Sequence, residues 1–306
     1  VGDTVTVRVT VRDRDPGSAR LTFDCLCTNG DGKPVITGEA EVIAPREKVR
    51  RPRTQLPEVH LHHPGARYGE LLARAKALDP IRTAVVHPCD APSLEGAVQA
   101  RANGLIIPIL IGPQLRIEAA AEAAGLDLTG IEIVAVPHSH AAAERAVEMV
   151  RQGQAEAVMK GALHTDEIMG AVVHPTTGLR TERRMSHVFA LDVPSYPKTL
   201  FVTDAAINIA PDLEVKADII RNAVDLCHAL AIPQPKVAIL SAVETVMRTI
   251  PSTVDAAALC KMADRGQITG ADLDGPLAFD NAISTAAAKA KGIDSSVAGQ
   301  ADVLVA

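Results

Sequence analysis

The sequence predicts an α/β fold built on mostly parallel sheets, and three observations carry that expectation. Apolar strand-like runs and helical patterns alternate from about residue 66 to the last residue, the order that builds βαβ units with helices on both faces of a sheet. Aromatic residues make up only 2% of the chain and tryptophan is absent, so the core has to be made of Ala, Val, Ile and Leu, as in sheets buried on both faces. An apolar content of 47% suits a substantial core, and 306 residues exceed one ordinary domain, so two or three globular units are expected.

Residues 1–45 differ in kind from the rest. Val5 to Arg12 alternates apolar and polar residues, Asp15-Pro16-Gly17 makes a turn, and a second strand runs from Arg20 to Thr28. Asn29-Gly30-Asp31-Gly32 is a second turn, leading into a third strand from Val35 to Ile43. Three antiparallel strands bury little core alone, so the meander is expected to close a larger sheet begun before Val1. Residues 45–64, with Arg46, Lys48, Arg50, Arg51 and Arg53 among prolines, read as an extended basic linker centred on 46–57. His60, His62 and His63 within it lack a carboxylate or cysteine to complete a metal site.

Beyond the linker the expected series is helix 66–78, strand 83–87, helix 93–103, strand 105–111, helix 114–124, strand 131–136, helix 139–152 and strand 156–159. Strands 188–193 and 199–203, helix 213–230, strand 236–240, helix 254–263 and strand 302–306 follow, enough for a second sheet. Ligands in such sheets bind beyond the carboxyl ends of strands. The loops to watch are therefore His87 to Asp90, Lys160 to Asp166, Asp204 to Asn208, Ser241 to Glu244, and Asp274 to Asn281, where a Gly-Pro turn delivers Asp280 and Asn281 to a helix start.

Charge and cysteine usage exclude several classes. A net charge of -6 and a pI near 5.9 argue against nucleic acid or an anionic membrane as partner. The five cysteines are scattered without a Cys-x-x-Cys pair, which favours a reducing cytoplasm over a disulfide framework or structural zinc. The most apolar run, Leu105 to Ile111, is too short to cross a bilayer, and Val at position 1 reads as a fragment whose upstream region is unknown. No GxGxxG, Walker or serine-hydrolase signature is present. Ser186 and His187, being adjacent, point to opposite faces of any strand and make a poor nucleophile pair.

The stretch from Ala157 to Val188 carries the strongest chemical signal. A strand ends in Lys160-Gly161 and opens a helix, whose free amides favour an anion. Thr165 or Asp166 is positioned to cap, and His164 to donate to a phosphate or carbonyl oxygen. Arg180, Arg183 and Arg184 follow the Thr177-Gly178 turn and either clamp phosphate or form an exposed basic loop.

Taken together, MKGALHTD, TGLRTERRMSHVFALDVP, FVTDAAINIAPDLEVKADIIRNAV, VAILSAVE and DGPLAFDNAIS resemble the phosphate acetyltransferase and phosphate butyryltransferase family over about residues 60–306. DGKPVITGEAEVIAP resembles the closing strands of a MaoC-type (enoyl-CoA hydratase) hot-dog domain, as in bifunctional chains that carry one in front. The resemblance implies a two-domain cleft like that of isocitrate and isopropylmalate dehydrogenases, with parts at 58–186 and 187–306. It also implies a homodimer, no cofactor beyond CoA as substrate, and reversible acyl transfer between CoA and inorganic phosphate by direct thiolate attack. Lys160, Gly161, His164 and Thr165 are the candidates for phosphate and the developing oxyanion, and Arg180, Asp204, Ser241 and Asp280 line the cleft. The family's Ser-Arg pair falls beyond Ala306, and a family arginine on the helix after the Lys-Gly loop is replaced here, its matching position being near Gly170. A non-catalytic acyl-CoA-sensing module stays open beside the enzyme. A metal-dependent dehydrogenase would need clustered acidic ligands, and only isolated ones are seen.

Overall fold

The computed structural model describes residues 4–15, 17–45 and 65–306. The basic stretch 46–57, the histidines at 60, 62 and 63, and Pro16 lie outside these described residues. The chain divides into two compact units, Val1–Val59 and His60–Ala306, each taken by itself below.

The first unit is a three-stranded antiparallel meander of β1 (Thr6–Asp15), β2 (Arg20–Thr28) and β3 (Pro34–Ile43). Period two puts Val7, Val9 and Val11 opposite Cys27, Cys25 and Phe23, and those against Ile36, Gly38 and Ala40. One face is therefore almost wholly apolar, yet Val7 is 63% and Ile36 66% exposed.

The second unit opens with α1 (Ala66–Lys76) and then builds a parallel sheet. Its strands are β4 (Ile81–Val86), β5 (Ile106–Gly112), β6 (Glu132–Ala135) and β7 (Ala157–Lys160), in the order β6-β5-β4-β7. Helices α2 (Ala91–Ala102) and α3 (Gln114–Ala124) pack through Leu94, Ala97, Ile117 and Ala121 on one face. On the other, α4 (Ser139–Arg151) and α5 (Thr165–Val172) pack through Ala142, Ala143, Ala146 and Ile168. Small alanines let the helix backbones approach closely where aromatic side chains are missing. The order reverses between β4 and β7, so a crevice opens outside their carboxyl ends.

The second sheet runs β11 (Asp272–Leu277), β10 (Lys236–Leu240), β12 (Val303–Val305), β9 (Leu200–Thr203), β8 (Phe189–Leu191), parallel except for β8. Helices α6 (Leu213–Ala229) and α7 (Pro251–Asp264) cover one face with Ile219, Ile220, Val224 and Leu259. The short α8 (Phe279–Ile283) and α9 (Thr285–Ala290) cover the other, with Ala282, Ala288 and Tyr196 in its core.

Strand β11 corrects the reading of Asp274-Gly275-Pro276 as a turn. Proline is tolerated because β11 is an edge strand, where a missing N–H costs little. Gly275 is needed for packing, since a Cβ there would fall 2.8 Å from Ile239.

Helix α1 is tied to the second sheet. Arg67 donates to Asp192 Oδ1 (3.0 Å), to Val193 O (2.8 Å) and to Tyr196 O, while Arg74 donates to Leu230 O (2.7 Å). The Arg67 and Asp192 side chains are only 14% and 19% exposed. Truncating one partner of a shielded pair strands the other's charge, so Arg67→Ala should destabilise the chain by about 3 kcal/mol in urea unfolding, against less than about 1 kcal/mol for Arg145→Ala, whose pair with Glu148 is exposed.

Candidate active site

Parallel topology delivers the expected loops to the carboxyl ends of the two sheets. At the first, the β4 and β7 loops are bonded to each other. Gly161 N–H donates to Val86 O (2.9 Å), Ala162 N–H to His87 O (3.0 Å), and His87 Nδ1–H to Ala162 O (2.8 Å). His87 is 6% exposed and sits at φ 53°, an unfavourable region for a residue with a Cβ, held there by these bonds.

This geometry corrects the role expected of Gly161. Its amide is committed to Val86 and is not a phosphate donor, and the position must be glycine because a Cβ would meet Val86 O at 2.4 Å. The expected caps are also corrected. His164 is the N-cap of α5, no side chain caps the helix, and Thr165 and Asp166 fall in the first turn. Asp166 and Glu167 bring two carboxylates to that end, which complements the helix dipole and offsets its pull on an anion. Lys160 is exposed and makes only a long 3.4 Å bond to Gly161 O, so its ammonium is the cation left for a ligand at this edge.

At the second sheet, Asp204 is the organising group. Only 6% exposed, it accepts Ala206 N–H and Ile207 N–H on Oδ1 (both 2.9 Å), and Asn208 Nδ2–H (2.7 Å) and His187 N–H (3.1 Å) on Oδ2. Burial pushes its pKa up, but the donors from Ile207, Ala206, Asn208 and His187 outweigh burial and hold the carboxyl below its ordinary value. With its lone pairs used, Asp204 shapes the loop instead of meeting a ligand.

Ser241 N–H donates to Leu277 O (2.9 Å), and its hydroxyl pairs with that of Ser252 (2.7 Å). Asp280 is exposed and accepts the N–H of Asn281 (2.9 Å). Nearby, Lys291 bonds Glu244 (2.9 Å), whose carboxylate, with help from Asp280, raises the lysine pKa. Asn281 is fully buried and its carboxamide has no partner among the described residues.

Between the sheets runs a strap, residues 183–187, fastened at almost every position. Arg183 pairs with Asp225, Arg184 N–H donates to Asp218 (3.0 Å), and Asn222 Nδ2 donates to Arg184 O and Ser186 Oγ (both 2.9 Å). Asn208 Nδ2 donates to Met185 O (2.9 Å), and Thr203 Oγ1 to His187 O (2.7 Å). Ser186 turns to Asn222 while the His187 ring packs edge-on to Phe189, so the two form no nucleophile pair. Asp218, Asn222 and Asp225 escaped the sequence reading, although their i, i+4, i+7 spacing sets a polar stripe on one face of α6.

The strap, α5 and the start of α6 enclose a groove of about 850 Å³ that brings Arg180 together with Ile207 and Asn208 of the Asp204 loop. Lys160 ends β7, Ser241 follows β10, and His164, Thr165 and Asp280 lie at helix starts; none of them lines this groove. Among the described residues no three His, Cys, Asp or Glu side chains gather to hold a metal, and no helix is long and apolar enough to cross a membrane.

Residues 138–306, which hold the strap, α6 and all the second-sheet loops, match the family model described as phosphate acetyl/butaryl transferase. The chain belongs to this family. As a phosphate acetyl/butyryltransferase relative it is 59% identical over 240 residues to a phosphate acetyltransferase of Rhizobium meliloti, covering 78% of this chain and 76% of that protein. It is 42% identical over 238 residues to a phosphate butyryltransferase of Clostridium acetobutylicum, covering 78% and 79%. Among solved structures, a branched-chain phosphotransacylase from Enterococcus faecalis V583 superposes with TM-score 0.63 at 27% identity, over 74% of this chain and 78% of that one. A phosphotransacetylase from Streptococcus pyogenes shares the fold, with TM-score 0.64 at 20% identity over 80% and 82%.

Two substitutions test the loop geometry. Gly161→Ala should cost about 1–3 kcal/mol in denaturant unfolding, because backbone and not a flexible side chain has to move. For Asp204 the folded pKa lies below the unfolded one, so its contribution is complete above about pH 4 and is lost as pH falls through the folded value. Asp204→Asn should therefore lower stability at pH 7 by about 2 kcal/mol, with parent and variant converging as the pH is taken below about 4.

Proposed function

We propose that this phosphate acetyl/butyryltransferase family member moves an acetyl or butyryl group reversibly between CoA and inorganic phosphate. Its 59% identity to a phosphate acetyltransferase over most of both chains is the observation that carries the reading. The CoA thiolate attacks the carbonyl carbon of the acyl phosphate, the C–S bond forms, and the carbon–oxygen bond to phosphate breaks with its electron pair leaving on phosphate.

Three of the protein's five thiols fit direct transfer. Burial pushes Cys227 and Cys260 up to about 12 and raises Cys89 as well, so none of these three is a thiolate at neutral pH that could carry an acyl group. In this reading Lys160, with His164 and Thr165 at the entrance to α5, neutralises phosphate and the developing oxyanion. Ser241 and Asp280 act from the facing strand ends, and Gly161 and Asp204 position their loops. The sheet of β4 to β7 and the sheet of β8 to β12, with α1 bonded to the second, form the two sides of a cleft like that of isocitrate and isopropylmalate dehydrogenases, and two copies work as a cytoplasmic homodimer.

For residues 1–45 the reading is kinship with the closing strands of a MaoC-type hot-dog domain, supported by the antiparallel order β1-β2-β3 and its apolar face. No hydratase activity is proposed.

CoA thiol release from acetyl-CoA and butyryl-CoA, with arsenate in place of phosphate so that the acyl product hydrolyses, tests the transferase. Arsenate-dependent release is expected, falling about 100-fold in kcat/KM for Lys160→Gln. Acyl-CoA binding without any release would leave a sensing module instead.

A further inference from the structure

We propose that His87 is the general base that takes the proton from the CoA thiol, through its Nε2. This rests on the acyl-transfer reading and adds the residue that makes the nucleophile.

His87 sits where three parallel strands end. It follows β4, with β5 on one side and β7 on the other, and both neighbours place a glycine against it. A Cβ at Gly112 would lie 3.4 Å from His87 Cα, and one at Gly161 would lie 3.0 Å from its carbonyl carbon. Val86 is in register with Lys160, so the imidazole that follows it stands at the crevice between β4 and β7, beside a cation that favours a thiolate.

Every polar group of the residue but one is committed. Its N–H donates to Ile111 O (2.7 Å), its carbonyl accepts from Cys89 N–H (2.8 Å) and Ala162 N–H (3.0 Å), and Nδ1 bonds Ala162 O (2.8 Å). A carbonyl oxygen only accepts, so Nδ1 carries the proton and Nε2 the lone pair. Nε2 has no partner among the described residues and, unlike His187 Nδ1, is not sealed from solvent. The result is an imidazole only 6% exposed, fixed in one tautomer and held at φ 53°, which is in place before any substrate arrives.

Other bases at the strand ends are occupied. Asp204 takes four donors, Glu244 bonds Lys291, and the His187 ring packs on Phe189. The titratable and charged groups around His87 are Cys89 and Asp90 of its own loop, Arg116 of α3, Lys160 of β7, and His164 and Asp166 at the start of α5. Burial raises the Cys89 thiol, which leaves it protonated beside the imidazole.

In the step itself the proton passes from sulfur to Nε2, the C–S bond forms, and the carbon–oxygen bond breaks with its electron pair on phosphate. The imidazolium returns its proton to the departing phosphate; in the reverse direction it protonates the leaving thiolate.

Thioester formation from acetyl phosphate and CoA, followed from about pH 6 to about pH 9, tests the assignment on the parent and on His87→Asn. Asparagine tolerates positive φ, its amide N–H replaces the bond to Ala162 O, and a matching thermal midpoint shows that the variant folds. Its kcat should fall roughly 100-fold or more with the KM for CoA little changed. The parent's kcat/KM should level off below the thiol's own pKa, whereas the variant's should climb about tenfold per pH unit to about pH 8.5, because only spontaneously formed thiolate reacts. Imidazole added to His87→Gly, which opens space at a φ that glycine accepts, should raise its rate at least roughly tenfold. Equal kcat and the same pH profile in parent and His87→Asn overturn the proposal. So does a fall in kcat that keeps the parent's pH profile and that imidazole does not relieve, which would make His87 a strut of the β4 loop. A parent that forms no thioester overturns the acyl-transfer reading itself, and the base with it, before any variant is compared.

Discussion

The second unit depends on an ionised carboxylate held almost out of water. Burying Asp204 alone would be costly, and the structure offsets that cost by aiming four donors at it. Three belong to its own loop, the amides of Ala206 and Ile207 and the side chain of Asn208, and one to His187, so a single group sets the turn after β9 and seats the end of the strap. Asn208, fixed in this way, holds Met185, and neighbouring Thr203 holds the carbonyl of His187. The wall of the groove is an extension of the Asp204 network.

The two sheet edges handle negative charge differently. At the β7 edge the helix dipole of α5 is opposed by Asp166 and Glu167, and the turn amides are consumed by the β4 loop, while the exposed Lys160 ammonium makes no short hydrogen bond among the described residues. At the strap, charge comes from guanidinium groups on a bonded backbone. One arrangement suits a small anion that arrives and leaves during turnover, and the other suits a group that stays put.

Much of the fold was legible because periodicity and breakers agreed. Helix 114–124 and strand 236–240 came out as expected, and the meander followed from its alternation and its Asn-Gly turn. Strand β11 was not legible, since Gly275-Pro276 has the local chemistry of a turn and only an edge position next to Ile239 makes it a strand. The candidate loops were legible as loops, because parallel strands leave few places for a ligand. Roles within them were not: Gly161 and Asp204 looked like ligand contacts, and the bonds of Gly161 to Val86 and of Asp204 to His187 are set by tertiary approach. Likewise the stripe Asp218, Asn222, Asp225 was visible on the helical wheel, but nothing in the sequence says that a strap lies across it.

The strap is fastened largely through its peptide groups, at the N–H and carbonyl of Arg184, the carbonyl of Met185, and the N–H and carbonyl of His187. Peptide groups are the same whatever residue carries them. The side chains at 184 and 185 are therefore free to be exchanged without unseating the wall they project from. Frame and reading surface are separable there, which gives evolution, or a designer, a place to change ligand preference without having to refold the protein around it.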